Sequence, residues 1–459
     1  MLFHTPIFVG FFAVYLTLHL LVPSSWRVFL IVFGSTIFYG YWNPGYVWVP
    51  FVLMTIAYLG GITLAKEHAE RSRRLYVGLV LAGLLSPLVF FKYTNFLAVS
   101  LTDALGLESG PLIVLSLPLG ISFVTFTSIA YVIDVYRRDF DAIREPGRLA
   151  AYTLFFPHLI AGPILRPKEL IPQIDRLGDV LDAKFRLGAM IVILGLVKKL
   201  FFADSIAPYV DEVYSGVGTF SAVDYAVAIY GFSVQIYCDF SGYTDMAIGL
   251  ALMLKVRLPT NFSRPYCATS IVDFWRRWHI TLSSWLRDYL YIPLGGNRCS
   301  RRRQLINVLI TMALGGLWHG ASWTFVFWGV VHGIGISVAQ SFRGLPLPFP
   351  RWVAIVLTFH FVSFAWILFR APDLSTAWRI AGGLFSVPVA GLIDGFIANL
   401  VPILLILLFF FTHRLDNHAR LALLVRKVPS SVLWPPFAAI VVYLLIERGG
   451  ADQFIYFEF

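Results

Sequence analysis

Charge is scarce in this chain. Asp, Glu, Lys and Arg together make up 14% of its 459 residues, against about 25% in an ordinary soluble domain. That is too little polar surface to cover a water-soluble body of this length. Cysteine is scarcer: Cys238, Cys267 and Cys299 cannot all pair with one another and show no metal-ligand spacing. A cytosolic enzyme, a disordered regulator and a small disulfide scaffold are therefore excluded. Also missing are a Walker A loop, a GxSxG elbow, an HExxH pair and a GxGxxG phosphate fingerprint, which disfavours ATP-driven transport, a soluble-type serine hydrolase and a zincin. No bound metal or cofactor is expected. The first apolar run, from Phe8 to about Val22, has no basic stretch before it and no small-residue cleavage site after it, so it reads as a retained helix.

What the chain has is apolar residues: 58% of the total, including 41 Phe and 13 Trp. This is the composition of a polytopic membrane protein. A crossing helix needs about 20 mostly apolar residues. Candidate spans lie at 8–22, 27–42, 46–65, 75–91, 111–135, 185–202, 222–253, 305–318, 321–340, 352–369, 396–412 and 432–446. The fold expected is all-α, a transmembrane bundle of about 10–12 spans with re-entrant and amphipathic helices. Residues 1–459 read as one integral membrane domain without a clear linker or internal repeat. Pro118, Pro157, Pro163 and Gly315-Gly316 interrupt apolar runs, which is tolerated where protein or a water-filled cavity surrounds the freed backbone.

The net charge of +10 sits in alternate loops. Basic stretches at 66–74, 137–148, 166–186 and 413–427 alternate with 94–110 and 204–218, which have no Lys or Arg. The positive-inside rule puts the basic loops in the cytoplasm, both termini outside, and makes 150–165 a re-entrant or peripheral segment. The excess sets orientation and says little about nucleic acid; membrane lipid is an expected partner and nucleic acid is not.

Residues 255–303 form a cytoplasmic amphipathic and basic segment. Ser270 is placed to cap a helix, with Asp273 three residues on. At 100° per residue, Ile271, Phe274, Trp275, Trp278, Trp285 and Tyr289 share one face, while Arg276, Arg277, Ser283, Ser284 and Arg287 fall largely opposite. His279 lies at the border, either anchoring the helix through a hydrogen bond or facing a site. The following GGNRCSRRRQ, 295–304, reads as a topology signal or as a phosphate site, since guanidinium groups pair bidentately with phosphate.

Three polar groups stand in apolar surroundings. His319, in GGLWHGASW at 315–323, sits between two apolar runs, where ionisable residues usually face a cavity or a partner. A buried imidazole is favoured in its neutral form, which a general base requires; the alternative is a histidine bridging two helices. Trp318 and Trp323 are candidate walls. The cluster QIYCDFSGYTDM at 235–246 carries Asp239 and Asp245, whose expected partners are Arg276, Arg277, Arg287 or nearby hydroxyls. It lines a reaction chamber or locks helices together. FFPHLIAGPILRP at 155–167, with His158, and the isolated His332 read as structural.

The run WRRWHITLSSWLRDYLYIPLGGN at 275–297, followed by LWHGASW at 317–323, resembles the membrane-bound O-acyltransferase family, most closely the branch that O-acetylates bacterial polysaccharides such as alginate. Supporting pieces are FKYTNF at 91–96, LPLGISF at 117–123, HLIAGPI at 158–164, the 235–246 cluster, SFAWILFRA at 363–371 and FIYF at 454–457. The resemblance implies a helical bundle enclosing a tunnel, with an acyl thioester donor such as acetyl-CoA reaching it from the cytoplasm. The hydroxyl acceptor comes from the other face, and periplasmic polysaccharide acetyltransferases are partners. It makes His319 the essential catalytic residue and sets His279 in the same chamber. Trp318, Trp278, Asp239, Arg276, Arg277 and Asn297 are the substrate-binding candidates. His319 would take the proton of a hydroxyl attacking the thioester, with the oxyanion held by amides around Gly315–Gly316 or by His279. Competing readings are D-alanyl transfer to teichoic acid from a carrier protein and, in another class, a proton-coupled transporter.

Overall fold

The computed structural model describes residues 1–66, 69–108, 113, 116–174, 176, 183–342, 350–385, 392–427, 429, 431–432, 434–435, 438–439, 442 and 446. The described residues are helical with no strand, so the protein is an all-α membrane protein. The expected span 432–446 lies largely outside them, and the FIYF stretch at 454–457 entirely so.

Helices form at the other expected spans, but they differ in kind. Among the described residues four are long and apolar enough to cross a membrane: Pro44–Lys66, Glu70–Leu105, Trp323–Ser341 and Arg351–Arg370. The pair Leu400–His413 and His418–Val425, bent by 74° at its break, makes a fifth if it is one span. The expected 10–12 is therefore not reached on length and composition among the described residues. Pro6–Leu21 and Arg27–Trp42 have 16 residues each, too short for an untilted crossing. Two expected loops are helix instead. Glu70–Leu105 runs through 94–105, and Asp204–Ser215 continues a π-helical turn at Val197–Ala203. Neither stretch contains a proline or glycine at its start that would stop the preceding helix.

The backbone groups into two compact units, Met1–Val192 with Met246–Pro259, and Ile193–Asp245 with Thr260–Phe459. In the first, helix Ile121–Arg137 is buried over nearly its whole length and packs on Trp48–Lys66 and Glu70–Leu88. Residues 149–165 are buried throughout, as the short helices Pro146–Leu154 and Phe156–Leu159 and the loop after them, which suits a segment that does not cross. His158 there takes the structural role expected: its Nε2 bonds the Tyr152 carbonyl at 2.9 Å.

In the second unit, helices Arg301–His319 and Trp323–Ser341 form a tight antiparallel pair. Their closeness depends on two glycines. A Cβ on Gly316 would strike the Phe325 carbonyl, and one on Gly329 would strike that of Met312. The turn between them, Gly320–Ser322, begins directly after His319. The Arg301–Arg303 run occupies the first turn of the first helix, fully exposed, where the helix dipole disfavours cations; it is not there for helix stability.

Candidate active site

The segment expected as one amphipathic helix is broken. Ser270 caps Ile271–Trp275, accepting from the Asp273 N–H at 3.1 Å. The chain then turns at His279, and a second helix runs Ile280–Leu286 into a π-helical turn at Arg287–Tyr291. His279 has φ 41° and ψ 54°, the left-handed region, which costs a side-chain-bearing residue energy and persists where the surroundings impose it. The sidedness still holds: Ile271, Phe274, Trp278, Trp285 and Tyr289 are buried, and Arg276 and Arg287 are exposed.

Asn261 imposes the turn. Its backbone carbonyl accepts from the Ile280 N–H at 2.9 Å. Its side-chain Oδ1 accepts from the Thr281 N–H at 3.1 Å and the Thr281 hydroxyl at 2.9 Å, and lies 3.2 Å from His279 Nδ1. A backbone N–H only donates, so the atom facing it is the amide oxygen. Nδ1 must therefore carry the ring proton. The neutral ring then presents a lone pair on Nε2, which has no hydrogen-bond partner among the described residues. Burial holds the ring neutral, pushing its pKa down to about 3. Sequence reasoning assigned Asn261 no role; its place in PTNF, just before the aromatic segment, was the available signal.

His319 is the last residue of its helix and is buried. Its ring centroid lies 6.4 Å from that of His279. Trp318 stands 5.0 Å from His319 and 6.1 Å from His279. Trp328, 5.3 Å away, and Phe369, 5.2 Å away, close the other sides. His332 packs 4.7 Å behind Trp328, and its Nδ1 accepts from Trp275 Nε1 at 3.2 Å, a structural role as expected. Trp328 Nε1, which can only donate, has no partner among the described residues.

The remaining candidates lie around this pair rather than in it. Trp278 is fully buried among Phe262, Phe274 and Trp366. Arg276 is exposed, and Arg277 is paired with Asp273 at 2.9 Å. Asn297 is exposed and accepts from the Tyr291 hydroxyl at 2.6 Å. The partners expected for the two carboxylates are corrected. Asp239 pairs with Lys199 and Asp245 with Lys198, each at 2.7 Å, because both lysines are buried beside that helix whereas Arg277 and Arg287 are held by their own neighbours Asp273 and Asp288. Lys198 also reaches Asp416 at 2.6 Å, and Lys199 reaches Asp204 at 2.7 Å. Of the proposed oxyanion donors, the Gly315 and Gly316 amides lie inside a helix, where N–H groups bond the carbonyl four residues back. His279 offers an acceptor at Nε2, not a donor. Among the described residues no group of three or more His, Cys, Asp or Glu is placed to hold a metal.

Comparison with known proteins identifies the family. The model of the MBOAT, membrane-bound O-acyltransferase family matches residues 76–371. A probable alginate O-acetylase AlgI of Azotobacter vinelandii is 40% identical over 397 residues, covering 84% of this chain and 78% of that protein. A peptidoglycan O-acetyltransferase of Helicobacter pylori is 35% identical over 424 residues, covering 84% and 80%. A teichoic acid D-alanyltransferase of Bacillus subtilis is 28% identical over 272 residues, covering 55% and 68%. With the multi-helix membrane body, these likenesses make the chain a member of the membrane-bound O-acyltransferase family and an O-acyltransferase.

Proposed function

We propose that this protein takes an acetyl group from a thioester, with acetyl-CoA as donor, on the side of the membrane that carries the basic loops, and delivers it to a hydroxyl destined for a polysaccharide of the alginate type. A bacterial inner membrane and an extracytoplasmic acetyltransferase partner follow from that direction. The observation that carries the reading is the pair of buried imidazoles 6.4 Å apart in an aromatic box, one with its tautomer fixed. Two relatives that match 84% of the chain are named for O-acetyl transfer, which supports acetyl over D-alanyl.

In this reading His319 accepts the proton of the attacking hydroxyl as the oxygen bonds to the thioester carbon. A well-placed base contributes about 10²–10⁴-fold. The thiolate then leaves and takes up a proton as the tetrahedral intermediate collapses. His279 Nε2 is a fixed hydrogen-bond acceptor that orients a hydroxyl between the two rings. The oxyanion needs a donor, and Trp328 Nε1–H, beside His319 and otherwise unpartnered among the described residues, is suited to that role. The box of Trp318, Trp328 and Phe369 must open for both substrates to meet His319.

The test uses proteoliposomes holding the full chain and radiolabelled acetyl-CoA, with a soluble alginate oligosaccharide as acceptor. Label should pass to acceptor hydroxyls with wild type and not with His319→Ala, while both insert equally. Normal transfer by the variant removes His319 from the mechanism, and labelling only from a D-alanyl thioester replaces acetyl as the group moved.

A further inference from the structure

One cavity, apart from the histidine pair, has no place in the chemistry above. It measures about 740 Å³ and is lined by Arg264, Arg351, Arg414 and Arg420. Neither histidine of the pair borders it. The four arginines come from different elements: Arg264 from the loop before the aromatic segment, Arg351 from the first residue of helix Arg351–Arg370, Arg414 from the break after Leu400–His413, and Arg420 from helix His418–Lys427. Among the described residues no carboxylate lines the cavity. Some arginines of this chain find acids, as Arg277 does with Asp273 and Arg370 with Asp211. These four have no acidic partner within 4 Å among the described residues, and Arg420 turns one nitrogen to the Arg414 carbonyl at 3.5 Å instead. Like charges gathered round one concavity raise its potential and draw an anion.

The lining also has an aromatic part, made by Tyr266, Phe359 and Phe410. Phe359 and Phe410 meet edge to face at 5.0 Å, and Tyr266 packs 5.3 Å from Phe359. A small inorganic anion would leave that wall wet. The volume is in the range of sites for cofactor-sized ligands, about 300–1,000 Å³. Guanidinium forks match phosphate oxygens bidentately. We propose that the Arg264–Arg351–Arg414–Arg420 cavity binds a phosphate-ester anion that carries an apolar or aromatic body. Two sources share that chemistry: the headgroup of an anionic phospholipid, with its chains along the aromatic wall, and the phosphates of a soluble coenzyme, with its ring stacked there. The site is defined by its own lining and stands whether or not the acyl-transfer mechanism above is right.

The test uses the full chain purified in an uncharged detergent. One arm measures equilibrium binding of tritiated coenzyme A. The other counts retained phosphatidylglycerol against phosphatidylcholine by native mass spectrometry. Wild type should hold at least one of coenzyme A and phosphatidylglycerol. The Arg351→Gln/Arg414→Gln variant should weaken it by about tenfold or more, the loss of two charge-assisted contacts. The equally discharged control Arg71→Gln/Arg144→Gln should not. Loss of coenzyme A binding in the double variant identifies the soluble source, and loss of phosphatidylglycerol retention the lipid one. The proposal is overturned if the double variant weakens neither probe, if the control weakens binding as much, or if phosphatidylcholine is retained as well as phosphatidylglycerol. Should the double variant lose its monodisperse form, Arg351→Gln alone, at an exposed position, carries the same comparison with a smaller fold-change.

Discussion

Asn261 is the residue on which the geometry of His279 depends, and replacing it separates packing from chemistry. In Asn261→Ala the side-chain oxygen disappears, leaving the Thr281 N–H, the Thr281 hydroxyl and His279 Nδ1–H without their common acceptor in a buried site. A buried donor left unsatisfied costs about 1–3 kcal/mol. The hydroxyl can rotate to another acceptor, so two such penalties, roughly 2–6 kcal/mol, bound the loss of stability. Asn261→Asp is the more telling change because it keeps the shape and an acceptor oxygen. A carboxylate against Nδ1–H favours the imidazolium and raises the His279 pKa from about 3 by about 1–3 pH units. The sign is definite: wild-type His279 keeps its Nε2 lone pair throughout the neutral and mildly acid range, while the Asp variant begins to lose it as pH falls. Acyl transfer by Asn261→Asp should therefore decline on the acid side, below about pH 6, where wild type stays flat in this group. The assay is initial rate of acetyl transfer against pH in proteoliposomes, with thermal unfolding followed in parallel. A flat acid limb at full rate in Asn261→Asp would show that the Nε2 lone pair is not used. A full rate and unchanged melting midpoint in Asn261→Ala would remove the positioning role altogether.

Trp328→Phe deletes one indole N–H while keeping the ring against His319. If that group stabilises the oxyanion, turnover should fall by about 10²–10³-fold with acyl-donor binding little changed; an unaltered turnover removes the assignment. Gly316→Ala forces a methyl group into the Phe325 carbonyl, so the two helices must part at a cost of about 1–3 kcal/mol; differential scanning fluorimetry should give a lower midpoint, and an unchanged one contradicts the close approach. Lys198→Met leaves Asp245 and Asp416 facing each other without their shared cation. Breaking a buried pair costs about 3–5 kcal/mol, so the variant should unfold at markedly lower temperature, and restoring the midpoint by adding Asp416→Asn would tie the loss to that charge. An undiminished midpoint for Lys198→Met alone would mean the network is not under load.

The sequence made the membrane body and one histidine legible because both signals are local. Apolar runs mark helices directly, and His319 stands out as an ionisable group between two of them. The break at His279 was not legible because an angular count assumes an unbroken helix. Trp275 and Trp278 before the turn, and Trp285 and Tyr289 after it, have a spacing that keeps the same face in phase across the gap. The hydrogen bonds that enforce the turn come from Asn261, 18 residues earlier, and no local pattern announces them. The pairing of Lys198 and Lys199 was not legible either: both fall inside the expected span 185–202, and nothing local points to Asp245 or Asp239. Their partners lie 47 and 40 residues away.

The geometry of those lysines explains why so costly a set of charges is kept inside the unit. Asp239 and Asp245 sit six positions apart on one helix, a rise of about 9 Å, yet the lysines that meet them are adjacent. Lys198 and Lys199 must reach in opposite directions along that helix, and a shift of one residue, about 1.5 Å, would break both pairs together. The arrangement fixes register in a way that apolar side chains, which slide at little cost, do not. Lys198 extends the same constraint to Asp416, in the break between Leu400–His413 and His418–Val425, and His418 returns to Asp245 at 2.9 Å. Tyr237 donates to Asp416 at 2.5 Å, and its ring lies 6.2 Å from Trp278, next to His279 in the chain. Charges too expensive to leave unpaired thus set the position of the aromatic wall behind the histidine pair, and the expense is what makes that position unique.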